Sequence, residues 1–187
     1  MTQHESAVAV LRAYRSSDGD QRSVREAMLA FLAARPDACS RSCEPGHLTA
    51  SALVVDPSRG TALLTLHRRI GLWLQLGGHC EPADAGLVEA ALREAREESG
   101  IADLRIDPEP ISLGVHPLTC SLGVPTRHLD VRFLVTAPAG AEPAISPESL
   151  DLQWFPFDHL PEPRSYDLPS LVRAARDRLS ANRFARM

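Results

Sequence analysis

The chain contains no lysine. All 20 of its basic residues are arginine. Any side-chain cation that grips a phosphate must therefore be arginine, whose planar fork suits bidentate contacts. Positive charge is also in deficit: 24 acidic residues against those 20 give a formal net charge of −4. That balance argues against a nucleic-acid surface and against a polybasic membrane patch. No apolar run reaches the roughly 18 residues that suggest a transmembrane helix, and the N-terminus shows no secretory hydrophobic segment. A soluble, cytoplasmic protein is the expectation. The four cysteines, at 39, 43, 80 and 120, are then expected as reduced thiols. Neither an internal repeat nor a low-complexity tract occurs.

What is present supports a proper core. At 187 residues and 44% hydrophobic content, one domain of about 130 to 150 residues plus an extension is the natural reading. Arginine-only basicity, with heavy alanine and proline use, suggests a GC-rich bacterial genome.

The most informative run is 77–101, a glycine-rich loop leading into a helix. Glu94, Glu97 and Glu98 stand at i, i+3 and i+4, so they share one helix face. Like charges at that spacing repel, and the helix C-terminus disfavours negative charge. A hard divalent cation that prefers oxygen ligands, Mg²⁺ or Mn²⁺, would offset both costs. The plain alternative is a solvated, glutamate-rich face. Val88, Ala91, Leu92 and Ala95 form an apolar stripe that should pack on a sheet. Asp84 reads as the N-cap and Gly100 as a left-handed C-terminal residue.

Helical periodicity covers residues 4–15 and 21–34, marked by Val8, Leu11 and Tyr14 and by Met28, Phe31 and Leu32. This pair can cap the sheet, cover the site or form a homodimer contact; packing is the reading favoured. Strands are expected at Leu48 to Val55, Thr61 to Leu66, Ile111 to Val115, His128 to Thr136 and Ser149 to Pro156. A closing helix is expected from Leu168 to about Leu179, with Leu171, Val172 and Ala175 inward. Cys39-x-x-x-Cys43-x-x-x-His47 has spacing a zinc site allows, with a fourth ligand from His79, Cys80, His116 or Cys120. Buried thiols are the alternative.

The run at 78–101 resembles the signature of the Nudix hydrolases. That pattern is Gly, five residues, Glu, seven residues, then Arg-Glu-apolar-x-Glu-Glu-x-Gly-apolar. Gly78 opens it, and Arg93 through Ile101 match its second half at every specified position. One departure stands out: Asp84 occupies the first acidic slot only with a one-residue insertion after it, because Ala85 is the residue at the family's distance from Arg93. The resemblance covers roughly 47–175 and implies an α/β fold, the Nudix α/β/α sandwich with a mixed β-sheet. The domain boundaries it suggests are an N-terminal helical extension, 1–45, and a Nudix domain, 46–187.

The same resemblance implies metal-dependent hydrolysis of the diphosphate in a nucleoside diphosphate linked to another group X. Mg²⁺ or Mn²⁺ would be held by Glu94, Glu97 and Glu98, with a backbone carbonyl of Gly77 or Gly78 adding a ligand. Arg93 would orient the carboxylates. Glu148, before the last strand, is a candidate general base beside the helix glutamates. Arg68 and Arg69 are candidate diphosphate clamps, and Trp73 a candidate base platform, with Trp154 assigned to the core.

A fainter resemblance, through His47-Leu48-Thr49-Ala50-Ser51 and Gly78-His79, is to isopentenyl diphosphate isomerases. It implies a histidine-containing metal site of His47, His79, His128 and Asp130, the last two at i and i+2 on one strand face. Zn²⁺ enters the expectations by these routes. Against isomerase activity, Gly77 stands where those enzymes have cysteine, and this box keeps its Arg-Glu and Glu-Glu pairs. A third reading is a catalytically silent nucleotide-binding module. Such a module would be expected to lose ligands, and none is lost.

Overall fold

Asp56 builds the first hairpin. Its carboxylate accepts from the Ser58 N–H and hydroxyl and from the Arg59 N–H, and Gly60 leaves the turn at φ +65°. The strands so joined are β1 (His47–Asp56) and β2 (Thr61–His67). Both are antiparallel partners, with Val54 opposite Leu63. The computed structural model describes residues 1–119, 123–147 and 149–184. Within these, the order is α1 (Gln3–Ala13), α2 (Gly19–Ala34), β1, β2, β3 (Trp73–Leu74), β4 (Leu76–His79), α3 (Leu87–Ser99), β5 (Arg105–Thr119), β6 (Pro125–Thr136), β7 (Ser149–Pro156) and α4 (Leu168–Phe184).

The strands make one sheet in the order β3-β2-β1-β6-β5, with β4 pairing β1 and β7 pairing β2. It is an α/β fold with a mixed sheet and flanking helices. The expected β1, β2, β6 and β7 are present. Two expectations about the strands need correction. β5 runs for 15 residues rather than the five of Ile111 to Val115. The box loop is itself partly strand, because β4 hydrogen-bonds to β1 despite its two glycines.

By their contacts the residues fall into two compact units. The first comprises Met1–Ser51, Gly78–Ala91 and Pro108–Phe133. Here Thr2 and Glu5 form a capping box on α1, and Asp18 caps α2 through the Asp20 and Gln21 N–H groups. Ala7, Leu11, Met28 and Leu32 are fully buried. The Gln21 amide pairs both backbone groups of Leu113, donating to its carbonyl at 3.0 Å and accepting from its N–H at 2.7 Å. Since β5 is an edge strand, that amide blunts an exposed ladder.

The second unit comprises Ala52–Gly77, Leu92–Asp107 and the chain from Leu134 onward. Its core gathers Ala52, Val54, Leu63, Ala95, Leu104 and Val135. β7 runs along the whole of β2, Leu63 opposite Trp154. On α4, Leu168, Leu171, Val172 and Ala175 are buried, and Arg178 pairs with Asp107 at 2.8 Å.

On α3 the buried line is Leu87, Ala90, Ala91 and Ala95, with Val88 half-exposed. The stripe is thus rotated by about one residue from the expected one. Asp84 does not cap α3. Its carboxylate accepts from the Glu81 N–H at 2.7 Å, so it closes the preceding turn, and Gly86 takes the capping place with its carbonyl accepting from Ala90. Gly100 ends the helix as expected, at φ +67°. A Cβ there would lie 2.8 Å from the Ala144 Cβ. Strain and overlap act together, so Gly100→Ala should cost about 1–3 kcal/mol. A denaturant midpoint equal to wild type would refute that account. Among the described residues no helix is long and apolar enough to cross a membrane.

Candidate functional site

The second unit carries the carboxylates. Glu98 is 6% exposed, and its Oε2 accepts from the Gly77 N–H at 3.1 Å. Gly77 has φ +147°, a backbone setting that residues with a Cβ rarely adopt. Glycine is therefore required to aim that N–H at the helix. One nitrogen of Arg93 donates to Glu94 at 2.9 Å and to Glu97 at 3.1 Å. Glu94 and Arg93 are largely covered, whereas the Glu97 side chain is 60% exposed. Three carboxylates against one guanidinium leave a local charge of −2 (−3 + 1). Oxygen-only donors with that charge suit a hard divalent cation.

The first unit carries a different donor set. His47 on β1, His79 at the end of β4 and His128 on β6 place their ring nitrogens within 4.8 Å of one another. Ring centroids are 4.9 to 5.0 Å apart for all three pairs. His47 is 1% exposed. Its Nδ1 lies 3.2 Å from the Cys43 carbonyl, so Nδ1 carries the proton and Nε2 the lone pair. The Nε2 atoms of His47 and His128 are both buried without a hydrogen-bond partner. Each such orphan costs about 1–3 kcal/mol. Burial lowers all three pKa values: His79 to about 3, with the His128 ring adding to the effect, and His128 to about 4, with the His47 ring adding. All three are neutral imidazoles with lone pairs.

Asp130 does not join them. It accepts from Thr49 at 3.1 Å, Ser51 at 2.8 Å and Arg132 at 2.8 Å. Arg132, 2% exposed, also meets the His116 Nε2 at 2.6 Å. The strand alternation explains the division: His128, Asp130 and Arg132 share a face, and Arg132 is the nearer, charged partner. The sequence reading missed Arg132, though His-x-Asp-x-Arg alternation was visible. Cys39 and Cys43 are buried thiols; burial pushes Cys39 up to about 11 and raises Cys43. Among the described residues the three histidines are the one group whose donor atoms converge on a metal-sized space. Cys39 and Cys43 do not converge with His47 in that way, and the carboxylates of Glu94, Glu97 and Glu98 do not converge to that distance either.

The NUDIX domain model matches residues 45–175. The chain belongs to the Nudix family. The assignment makes it a pyrophosphohydrolase of the class that acts on nucleoside diphosphate derivatives. Solved structures agree with the Nudix fold. A NUDIX-family hydrolase from Clostridium perfringens is 24% identical over 71% of this chain and 97% of its own, at TM-score 0.59. A MutT NUDIX hydrolase from Burkholderia pseudomallei is 26% identical over 69% and 97%, at TM-score 0.51. A UDP-X diphosphatase, 17% identical, covers 94% of this chain and 93% of its own at TM-score 0.54, a likeness of fold that extends into the N-terminal helices. Among curated proteins nothing matches the chain significantly.

The remaining expected site residues lie around the Nudix sheet. Arg68 donates to the carbonyls of Pro147 and Ser149, holding the start of β7. Arg69 sits exposed in the turn after β2, its N–H bonded to His67. Trp73 is 7% exposed and meets Phe155 edge-on at 4.8 Å. Most of its ring thus packs inside. Trp154 packs against the core and donates to the Ala141 carbonyl. Glu148 falls outside the described residues.

Proposed function

We propose that this Nudix protein hydrolyses the diphosphate bond of a nucleoside diphosphate linked to a further group X, using Mg²⁺ or Mn²⁺ at Glu94, Glu97 and Glu98. The supporting observation is the set of three carboxylates on one turn-and-a-half of helix, one of them buried and anchored by the Gly77 N–H. When bound, the cation neutralises phosphate charge and acidifies the attacking water. The chain's own contributions are positional. Arg93 holds Glu94 and Glu97 in register, and a backbone carbonyl of Gly77 or Gly78 adds an oxygen. A glutamate takes the water's proton, from the helix or from Glu148. Arg68 and Arg69 lie exposed on the β2–β3 turn and are proposed to meet the phosphates, with the edge of Trp73, which opens β3, proposed to meet the base. The boundary at 45/46, the bacterial cytoplasm as its setting and a homodimer complete the proposal.

Fold relatives suggest the substrates to try: a C. elegans Ap4A hydrolase, the Nudix domain of Shewanella oneidensis NrtR with ADP ribose, and an E. coli dihydroneopterin triphosphate pyrophosphohydrolase. The test is metal-dependent phosphate release from a panel of dinucleoside polyphosphates, ADP-ribose, nucleotide sugars and nucleoside triphosphates. Turnover of at least one member with Mg²⁺ or Mn²⁺, and none in chelator, is expected. A folded protein that turns over none of them would sink this reading in favour of a nucleotide-binding module.

A further inference from the structure

We propose that His47, His79 and His128 form a second, transition-metal site of the zinc class, built from nitrogen donors alone and distinct in chemistry from the carboxylates of α3. Two observations carry it independently. First, three imidazoles from three strands bring their nitrogens within 4.8 Å of each other. Second, the Nε2 atoms of His47 and His128 are buried with no hydrogen-bond partner, and the Cys43 carbonyl fixes the His47 proton on the opposite nitrogen. A backbone carbonyl on the far side of a ligating ring is the usual device for orienting a metal-bound histidine. Nothing in the packing of three rings requires the bare nitrogens to face one another.

The donor set selects the ion. Neutral imidazoles suit Zn²⁺ and its first-row neighbours, whereas Mg²⁺ and Ca²⁺ demand oxygen. Zinc–nitrogen bonds of about 2.0–2.1 Å put tetrahedral ligand atoms about 3.4 Å apart, so the rings draw together by roughly an ångström on binding. Three protein ligands leave a fourth position open. A groove of about 290 Å³ lined by Arg41, Ser42, Cys43, Glu44, His47, Val124 and Thr126 reaches the His47 end of the cluster. That space exceeds the roughly 30 Å³ share of one water many times over, so water can approach the cluster from the His47 side. His79 directly follows the glycine that opens the Nudix box, so the ion would tie the box strand β4 to β1 and β6.

The test uses the full chain, stripped with chelator and kept in excess Mg²⁺ so that the carboxylates are filled. Titration with Co²⁺ is expected to give one equivalent of tetrahedral visible bands without a thiolate charge-transfer band, displaced by Zn²⁺. Zn²⁺ should also raise the melting temperature. His79→Asn and His128→Asn, each melting like the wild type when stripped, should weaken Zn²⁺ binding at least 100-fold, beyond what loss of a supporting residue costs. Glu98→Gln should bind as wild type, which separates this site from the hydrolytic one. X-ray absorption of the zinc-loaded wild type needs no variant and should show three imidazoles and no sulfur. Absence of stoichiometric binding, a sulfur shell, or undiminished binding in both histidine variants would overturn the proposal.

Discussion

Glu98→Gln is expected to lower turnover at least 10²-fold and to raise the Mg²⁺ concentration needed for half-activation. The argument turns on what glutamine keeps. Its amide oxygen still accepts from the Gly77 N–H that now bonds Glu98, so the β4–α3 junction holds. Only the charge is lost, and the local balance falls from −2 to −1, which opposes a divalent cation. Because Glu98 is 6% exposed, water screens little of that change. Two like charges on the same helix face also stop repelling a third. The melting temperature in chelator should therefore drop by no more than about 4 °C, equivalent to roughly 1 kcal/mol for a chain of this length. A variant that turns substrate over at the wild-type rate would remove Glu98 from the chemistry. A variant that is inactive but also unfolds early would make the residue structural.

The largest stability effect is expected at Arg132. Its guanidinium and the Asp130 carboxylate are 3% and 6% exposed and 2.8 Å apart. Thr49, Ser51 and His116 complete the network. The backbone makes room for it: a Cβ on Gly114 would sit 2.5 Å from Arg132 Nη2. Replacing Arg132 by methionine fills similar volume but leaves Asp130 charged and buried without its cation. Such a break costs about 3–5 kcal/mol, or roughly 10 °C in melting temperature. Asp130→Asn combined with Arg132→Met should recover more than half of that loss, because an amide needs no counter-charge. Equal melting of Arg132→Met and wild type would show that water reaches the pair in solution.

The carboxylate helix was legible because its information is local. Spacing of 3.6 residues per turn puts Glu94, Glu97 and Glu98 on one face whatever surrounds them, and Gly100 follows from the left-handed helix end. The strands β1, β2, β6 and β7 were legible for the same reason, since β-branched and leucine-rich runs stop at turn residues. Asp84 misled because a short acidic residue near a helix start serves either the helix or the turn before it, and the choice depends on where the first helical bond falls. β4 was hidden because two glycines weaken a strand on propensity, while pairing with β1 supplies the ladder from outside the segment.

Sequence alone determined the family, the helix that carries the acids, and the kind of cation they suit. Those properties follow from local periodicity and a contiguous motif. Tertiary structure alone decided which side chains from separate strands meet. It joined His47, His79 and His128, 81 positions apart from first to last, gave Asp130 to Arg132 instead, and left Cys39 and Cys43 as buried thiols. Those outcomes depend on strand order and on which face each residue presents, quantities that a linear spacing does not contain.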